Sequence, residues 1–243
     1  MSLYEKINKI RGFFLDLIFP KTCLACKQEG SYLCQQCLEK IPLTDKLICP
    51  LCQKITSYGQ TCKECQRKTY LNGLFYATSY KNPIINQAIK LFKYKYVKKL
   101  AFSLAQIIAK LIKNSNFFIN NFSENYSHCL IVPTPLHRKK FLWRGFNQSE
   151  LLAKYIAEEF NFKLKNDCLI KTKNTRSQTE LKQEMRKTNV RNTLAVKNKK
   201  EIKNKIIFLV DDVFTTGATL NEAARVLKKA GAKKVWAIVL AKD

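Results

Sequence analysis

Residues 206–220 read IIFLVDDVFTTGATL and join a strand-length apolar run to a loop and to the start of a helical pattern. The apolar run ends in two adjacent carboxylates, Asp211 and Asp212, which can accept hydrogen bonds from vicinal ribose hydroxyls. The loop that follows places backbone N–H groups and threonine hydroxyls at a helix N-terminus, an arrangement that suits a phosphate group. Gly217 allows the backbone to approach that group closely. The stretch therefore predicts a site for a ribose 5-phosphate group.

On both sides of this stretch, strand-length apolar runs alternate with helical patterns from about Leu71 onward. The strand-like runs are residues 128–132 (HCLIV), 167–171 (DCLIK), 206–210 (IIFLV) and 235–240 (VWAIVL). Helical patterns cover residues 148–160, 178–188 and 219–230, and Gly231 predicts the end of the last helix. The alternation predicts an α/β fold in which helices cover both faces of a parallel sheet.

The loop lacks the Gly-Lys-Ser/Thr of a Walker A loop and the G-x-G-x-x-G of a dinucleotide-binding loop. The segment LVDDVFTTGATL closely resembles instead the motif with which type I phosphoribosyltransferases bind 5-phosphoribosyl-1-pyrophosphate (PRPP). The resemblance implies that Asp211 and Asp212 hold the ribose 2′- and 3′-hydroxyls of PRPP. It also implies that the 5′-phosphate is held by Thr215, Thr216, Gly217, Ala218 and Thr219.

Eight of the ten cysteines lie in four CxxC pairs, Cys23/Cys26, Cys34/Cys37, Cys49/Cys52 and Cys62/Cys65. A CxxC turn directs two thiolates at one point, and two such turns complete the tetrahedral shell of Zn²⁺. A redox CxxC normally occurs singly beside a βαβ unit, and disulfides are rare in a reducing compartment. The spacing therefore predicts a double zinc ribbon with one or two structural zinc ions. Consecutive and interleaved pairings both satisfy the chemistry, and so does one metal with one set of cysteines unused.

The first residues carry no targeting signal in our interpretation. The apolar run at 13–15 is interrupted by Asp16 and is too short for a signal peptide core or a membrane span. The chain is therefore expected in the cytoplasm, without a membrane span and with reduced thiols. We predict an N-terminal amphipathic helix at residues 1–22, the double zinc ribbon at 23–70 and a phosphoribosyltransferase-like domain at 71–243.

Two further segments narrow the resemblance. Residues 132–152 (VPTPLHRKKFLWRGFNQSELL) and 171–195 (KTKNTRSQTELKQEMRKTNVRNTLA), together with the cysteine-rich start, resemble the ComF family of ComFC-type proteins. The resemblance implies a pyrophosphate-binding loop that contains Leu136, His137, Arg138, Lys139, Lys140, Arg144 and Gly145. It also implies a flexible loop that closes over PRPP, with Arg176, Gln178, Gln183, Arg186 and Asn189. His137 either donates a hydrogen bond to a phosphate oxygen or packs, and Asn147 is expected to cap the next helix.

The chain has 44 Lys and Arg residues against 18 Asp and Glu, which is a formal net charge of +26. The segment 23–70 accounts for +3 of this charge and the segment 71–243 for +21. One PRPP does not require so large an excess, so we predict a second polyanionic partner, single-stranded DNA. Trp143 and Phe146 lie among basic residues, and they either stack on bases or pack within the loop. The stretch 80–113 either binds single strands in the same way or is a solvated helix with an apolar inner face. Its aromatic residues Phe92, Tyr94 and Tyr96 are interleaved with Lys90, Lys93, Lys95, Lys98 and Lys99.

Two functional hypotheses follow. In the first, the chain is a PRPP-binding protein of the ComF type that handles single-stranded DNA during DNA uptake in natural transformation, and the resemblance implies a helicase partner in DNA import. In the second, it is an active phosphoribosyltransferase in which Mg²⁺ with PRPP supports transfer of ribose 5-phosphate to a base or an amine. The sequence assigns no acceptor and no catalytic residue. A zinc-ribbon adaptor alone would leave LVDDVFTTGATL unexplained.

Overall fold

The structure is a computed structural model that describes residues 21–95, 97–122, 128–172 and 192–243. The chain divides into two compact units, residues 1–41 and residues 42–243. This division falls inside the cysteine-rich segment, so the domain bounds 23–70 and 71–243 stay a prediction. Apart from Lys21 and Thr22, the predicted N-terminal helix at 1–22 lies outside the described residues.

The second unit is built on a five-stranded sheet with the order β1-β7-β6-β2-β3, in which every pair of neighbouring strands is parallel. A separate two-stranded ribbon pairs β4 with β5. The strands are β1 (Gly73–Ser79), β2 (Cys129–Pro133), β3 (Lys163–Leu164), β4 (Leu169–Lys171), β5 (Leu194–Val196), β6 (Ile206–Phe214) and β7 (Lys234–Lys242). The strand that carries the paired acids, β6, lies at the centre of the sheet, between β7 and β2.

Helices cover both faces of the sheet, as predicted. The α-helices are α1 (Gln35–Glu39) in the first unit and, in the second, α2 (Pro83–Tyr94), α3 (Leu100–Lys113), α4 (Asn116–Phe122), α5 (Arg138–Arg144), α6 (Gln148–Glu159) and α7 (Ala218–Lys229). On one face, Phe208 of β6 packs against Phe118 and Phe122, with ring centroids 5.0 Å apart in each pair. The side chains of Ile207 and Leu209 point to the opposite face of the sheet, because successive residues of a strand alternate between its faces. Both belong to the core cluster that also contains the buried side chains of α7. Burial on both faces explains the continuous apolar run at the start of β6.

One predicted strand belongs to a different sheet from the one expected. Residues 167–171 were expected in the parallel sheet, but β4 pairs antiparallel with β5, outside that sheet. A short apolar run such as the one around Leu169 is compatible with a strand of the parallel sheet and with a strand of the antiparallel ribbon. Periodicity therefore does not distinguish these two positions in the fold. The edge strands β1 and β3 were not predicted, and the stretch 80–113 contains the helices α2 and α3. The predicted helix at 178–188 lies outside the described residues.

Within the described ranges no helix is both long and apolar enough to cross a membrane, and the longest, α3, has 14 residues.

Candidate functional site

The eight cysteines of the CxxC pairs form two clusters. Within each cluster the four sulfur atoms lie within 4.8 Å of one another, and the members are Cys23, Cys26, Cys34 and Cys37 in the first unit and Cys49, Cys52, Cys62 and Cys65 in the second. The Cys23–Cys34, Cys26–Cys34 and Cys52–Cys62 sulfurs are each 3.7 Å apart. Four thiolates at about 2.3 Å from a tetrahedral zinc ion are separated by about 3.8 Å. The sulfur positions therefore fit Zn²⁺, whereas a disulfide needs about 2.05 Å.

The first turn of each cluster has the same backbone conformation. In the first, the Cys23 N–H donates to Gln28 O and the Lys27 N–H donates to Cys23 O, with Lys27 at a φ of 66°. In the second, the Cys49 N–H donates to Lys54 O and the Gln53 N–H donates to Cys49 O, with Gln53 at a φ of 63°. The predicted repeat of two knuckle pairs therefore extends to the local backbone.

The clusters resolve the pairing that the sequence left open. Consecutive CxxC pairs lie together, and neither the interleaved arrangement nor a set of cysteines without a cluster occurs among the eight. Burial opposes ionisation of Cys23, but hydrogen bonds from the Cys34, Cys26 and Ala25 N–H groups lower the pKa of its thiol to about 6, whereas hydrogen bonding with Cys34 and then burial raise the pKa of Cys37 to about 12. Cys129 and Cys168 are buried away from both clusters, and burial raises the pKa of their thiols to about 11 and about 12.

The paired carboxylates lie toward the carboxyl end of β6, and two helices supply their partners. Asp211 Oδ1 accepts hydrogen bonds from the Ser149 hydroxyl at 2.8 Å and from the Asp212 N–H at 2.9 Å. Asp212 Oδ1 lies 2.9 Å from the Nζ ammonium of Lys93. Ser149 is in the first turn of α6 and Lys93 is in the last turn of α2. The sequence did not indicate either partner, because each lies far from the acids along the chain.

Asp212 is 3% exposed, and its second oxygen, Oδ2, has no hydrogen-bond partner among the described residues. A buried acceptor without a donor is costly, so this atom has unused capacity for a hydrogen bond from a ligand. Burial, and after it the Asp212 charge, raises the pKa of Asp211 to about 6. Burial acts to lower the pKa of Lys93, but the Asp212 carboxylate outweighs it, and the pKa of Lys93 is raised.

Lys171 is a second lysine that interacts electrostatically with the acids. It ends β4, and its pKa is lowered by burial and then by the charge of Lys140, while Asp211 partly offsets both effects. Lys140 had been assigned to the pyrophosphate loop, and Lys171 had no predicted role. Cationic groups from α2 and β4 therefore interact with the carboxylates, which suits a ligand with several negative charges.

The loop after β6 has the geometry that the motif predicts. Gly217 has a φ of 70° and is the N-cap of α7, whose Asn221 N–H donates to Gly217 O at 2.8 Å. A Cβ at this glycine would lie 2.5 Å from the Phe214 ring, so both the backbone angle and the packing require glycine. The Ala218 N–H lies 3.4 Å from the Thr216 hydroxyl. Thr215, Thr216 and Thr219 are partly exposed at this helix N-terminus.

The predicted pyrophosphate loop is largely helical. Arg138, Lys139, Lys140 and Arg144 lie on α5, whose first turn is capped by His137: its Nδ1 accepts from the Lys139 N–H. The Nδ1 atom of the half-buried His137 is therefore used by the helix cap, and the two roles suggested for this side chain stay predictions. Gly145 ends the helix with a φ of 75°, Leu136 precedes it, and Asn147 caps α6 as expected. Arg138 and Lys139 are exposed, whereas Arg144 is buried and donates to Gln148 Oε1 at 2.5 Å.

The predicted flexible-loop residues Arg176, Gln178, Gln183, Arg186 and Asn189 lie outside the described residues.

Asn221 ties the phosphate-loop helix to the segment that follows the second cysteine cluster. Its Oδ1 accepts from the Thr69 hydroxyl at 2.7 Å and from the Tyr70 N–H at 2.8 Å. A cavity of about 380 Å³ lies beside this connection and is lined in part by Thr216, Gly217 and Ala218. Neither acid lines it, so we do not identify it with the site of the paired carboxylates.

The raised pKa of Asp211 leads to a pH-dependent prediction for stability. Its ionised form destabilises the folded state, and this penalty is absent below about pH 4 and complete above about pH 6. The free energy of unfolding of Asp211→Asn minus that of wild type is expected to rise by up to about 3 kcal/mol between these two pH values. Urea unfolding of both proteins as a function of pH measures the difference, in which titrating groups remote from Asp211 cancel. Parallel curves would show that Asp211 does not titrate in this interval.

Comparisons with known proteins agree with this geometry. Residues 147–243 match the phosphoribosyl transferase domain family, and residues 14–66 match the double zinc ribbon domain family. Competence protein F of Haemophilus influenzae is 36% identical over 115 residues, which span 46% of this chain and 50% of that protein. DNA utilization protein YhgH of Escherichia coli is 26% identical over 230 residues, 91% of this chain and 98% of that protein. Competence protein ComFC of Streptococcus pneumoniae is 29% identical over 213 residues, 87% of this chain and 88% of that protein.

The two family matches occur in the order in which the cysteine clusters and the parallel sheet follow each other along the chain. The chain spans only half the length of competence protein F but nearly the whole length of YhgH. The chain therefore combines a double zinc ribbon with a phosphoribosyltransferase domain, and the relatives that match it over most of its length are named as DNA utilization and competence proteins.

Proposed function

We propose that the chain binds PRPP at the carboxyl ends of β6 and β2. The observation that carries the proposal is the pair of acids beside a helix N-terminus, with a buried Asp212 oxygen that has no donor among the described residues. Ribose hydroxyls are donors of the required kind, and the loop with Gly217 offers N–H groups to a 5′-phosphate. In this proposal the acids accept from the ribose, and Thr215, Thr216, Gly217, Ala218 and Thr219 hold the phosphate.

The pyrophosphate of PRPP would lie toward the cationic groups around the acids. Arg138 and Lys139 are exposed on α5, and Lys171 interacts electrostatically with both Lys140 and Asp211. When bound with PRPP, Mg²⁺ would neutralise part of the pyrophosphate charge while keeping several of its waters. The oxygen-rich pyrophosphate is compatible with such a hard cation.

Titration calorimetry of the full-length, zinc-loaded protein tests the proposal, with PRPP and ribose 5-phosphate as ligands. We expect both to bind, and PRPP to bind more tightly because it adds the pyrophosphate contacts. Inorganic phosphate is the control for binding by charge alone. If neither sugar phosphate binds more tightly than inorganic phosphate, the assignment of the site is wrong.

Transfer of the phosphoribosyl group is the second candidate activity of this site, supported by the complete PRPP motif. Assay of pyrophosphate release from PRPP with a panel of bases and amines tests it. Release that depends on one acceptor would establish an enzyme, whereas tight binding without release would leave PRPP as a ligand or regulator.

We further propose a role in handling single-stranded DNA, as the names of the competence and DNA utilization relatives suggest. The supporting feature is an exposed aromatic–basic surface, defined by Tyr94, Phe141 and Trp143, which are 44–60% exposed, and by the exposed cations Arg138 and Lys139 at the start of α5. The ring centroids of Tyr94 and Trp143 are 6.4 Å apart, and the guanidinium of the buried Arg144 lies 5.7 Å from the Tyr94 ring centre. Exposed rings beside cations suit stacked bases and their phosphates.

The surface differs from the residues that the sequence suggested. Phe146 and Phe92 were candidates for stacking, but both are buried and pack against each other at 5.5 Å. Spacing alone does not separate aromatic residues of the core from aromatic residues of the surface. Tyr96 lies outside the described residues. The helicase partner stays a prediction from the family resemblance.

Trp143→Ala is expected to weaken binding of an oligothymidine by roughly 5- to 150-fold, since stacking on one base contributes about 1–3 kcal/mol. Fluorescence anisotropy at several salt concentrations measures this effect. The matched control is Phe102→Ala: Phe102 is 52% exposed but lies beside Glu158 and Glu159. Equal effects of both substitutions, or binding without salt dependence, would contradict the aromatic–basic surface as the DNA site.

A further inference from the structure

The ammonium group of Lys93 lies against a buried carboxylate, whereas the other lysine of α2 is exposed to solvent. Asn82 caps α2 through Oδ1, and Ile85, Ala88, Ile89 and Phe92 fix the inner side of the helix in the core. This anchoring directs the last turn toward the sheet, where the side chain of Lys93 is 20% exposed and its ammonium is 2.9 Å from Asp212 Oδ1. Lys90, one turn earlier, is exposed. Lys93 is therefore a fixed counter-ion rather than a solvated charge.

The Lys93–Asp212 ion pair leaves one side of the carboxylate available. Lys93 contacts Oδ1, whereas Oδ2 has no hydrogen-bond partner among the described residues although the side chain is buried. Other charged groups near the pair are Asp211 on the same strand and, farther out, Lys171 on β4 with Lys140 on α5. A buried carboxylate without a counter-charge takes up a proton, and a protonated carboxyl is a poor acceptor for a sugar hydroxyl.

We propose that Lys93 is a positioning residue that keeps Asp212 ionised, so that Oδ2 accepts a hydrogen bond from a ribose hydroxyl without the help of a divalent cation. The proposal rests on the proposed function and specifies it further. The site would recognise a ribose 5-phosphate end by its own charges, and the cation would be needed only for the pyrophosphate of PRPP.

The different ligand preferences of Mg²⁺ and of a lysine ammonium support this division between the recognition of ribose and the recognition of pyrophosphate. Mg²⁺ requires near-octahedral oxygen ligands at about 2.0–2.1 Å and loses its water reluctantly. An ammonium carries only donors and satisfies one carboxylate oxygen at hydrogen-bond distance. Lys93 already fills that role at Oδ1, so the protein provides the charge compensation that the buried acid needs.

The test measures ribose 5-phosphate binding to the full-length, zinc-loaded protein, in buffer freed of magnesium over a chelating resin before the protein is added. A chelator in solution would strip the structural zinc. The wild-type affinity is expected to change less than about twofold when magnesium chloride is added. Lys93→Met is expected to bind at least about tenfold more weakly at about pH 7, because the buried Asp212 then has no ammonium beside Oδ1.

Three controls separate positioning from folding. Lys90→Met removes an exposed charge from the same helix and is expected to bind like wild type. Lys93→Arg keeps the charge and is expected to retain affinity within about fivefold. Lys93→Met combined with Asp212→Asn removes both charges, so it should fold even if the single variant does not, and it should still bind weakly.

The outcomes distinguish this proposal from the one on which it rests. If wild type binds neither ribose 5-phosphate nor PRPP, the proposed function fails. If wild type binds but Lys93→Met has the same affinity, or Lys93→Arg loses as much affinity as Lys93→Met, or the double variant binds like wild type, Lys93 has no positioning role. If ribose 5-phosphate binds only with magnesium, the recognition of ribose by the protein's own charges is wrong.

Discussion

Serine in place of Cys49 is expected to halve the zinc content of the protein and to unfold the segment around the second cysteine cluster. Cys49 is fully buried, and its cluster is held by thiolates rather than by a large apolar core, since Ile48, Cys49 and Cys65 are the buried hydrophobic residues between 42 and 70. Zinc binding by such sites is worth about 10–16 kcal/mol at neutral pH, so the loss of one ligand removes several kcal/mol of folding free energy. Metal analysis and limited proteolysis measure the two effects.

The matched control for this prediction is Cys168→Ala. Cys168 is equally buried but belongs to neither cluster, so the zinc content should stay at the wild-type value. Cys23→Ser should lower the zinc content as much as Cys49→Ser, because the two turns have the same geometry. An unchanged zinc content in either serine variant would contradict a four-thiolate site at that cluster.

The second large effect is expected for Asp212→Asn, which should weaken PRPP binding by roughly 10- to 150-fold. A hydrogen bond to a charged group contributes about 1.5–3 kcal/mol, and the amide replaces the charged acceptor with a neutral group of the same shape. The substitution also leaves Lys93 without its carboxylate partner, so its stability must be measured alongside. Titration calorimetry gives the affinity, and circular dichroism establishes that the variant is folded.

Asp167→Asn is the control, because Asp167 is an exposed acid outside the paired carboxylates. Its affinity for PRPP should stay within about twofold of wild type. If Asp212→Asn is folded and binds PRPP as tightly as this control, the buried oxygen of Asp212 does not contact the ligand.

The sequence by itself determined the features that depend on neighbouring residues. The strand, loop and helix at 206–220 are contiguous, so the acids, the left-handed glycine and the helix N-terminus follow from their order along the chain. The two CxxC turns are equally local, and their repeated backbone conformation follows from the same short spacing. Alternation of apolar runs and helical patterns was enough to predict a parallel sheet covered on both faces.

Only the tertiary structure decided which distant groups meet at the acids. Ser149 and Lys93 reach Asp211 and Asp212 because α6 and α2 pack against the sheet, and neither contact has a local pattern along the chain. The burial of Phe92 and Phe146 was undecided for the same reason, since a basic–aromatic spacing is compatible with a core face and with a surface. The pairing of the CxxC turns was also a tertiary question, because every turn offers the same two thiolates and only their positions in space select partners.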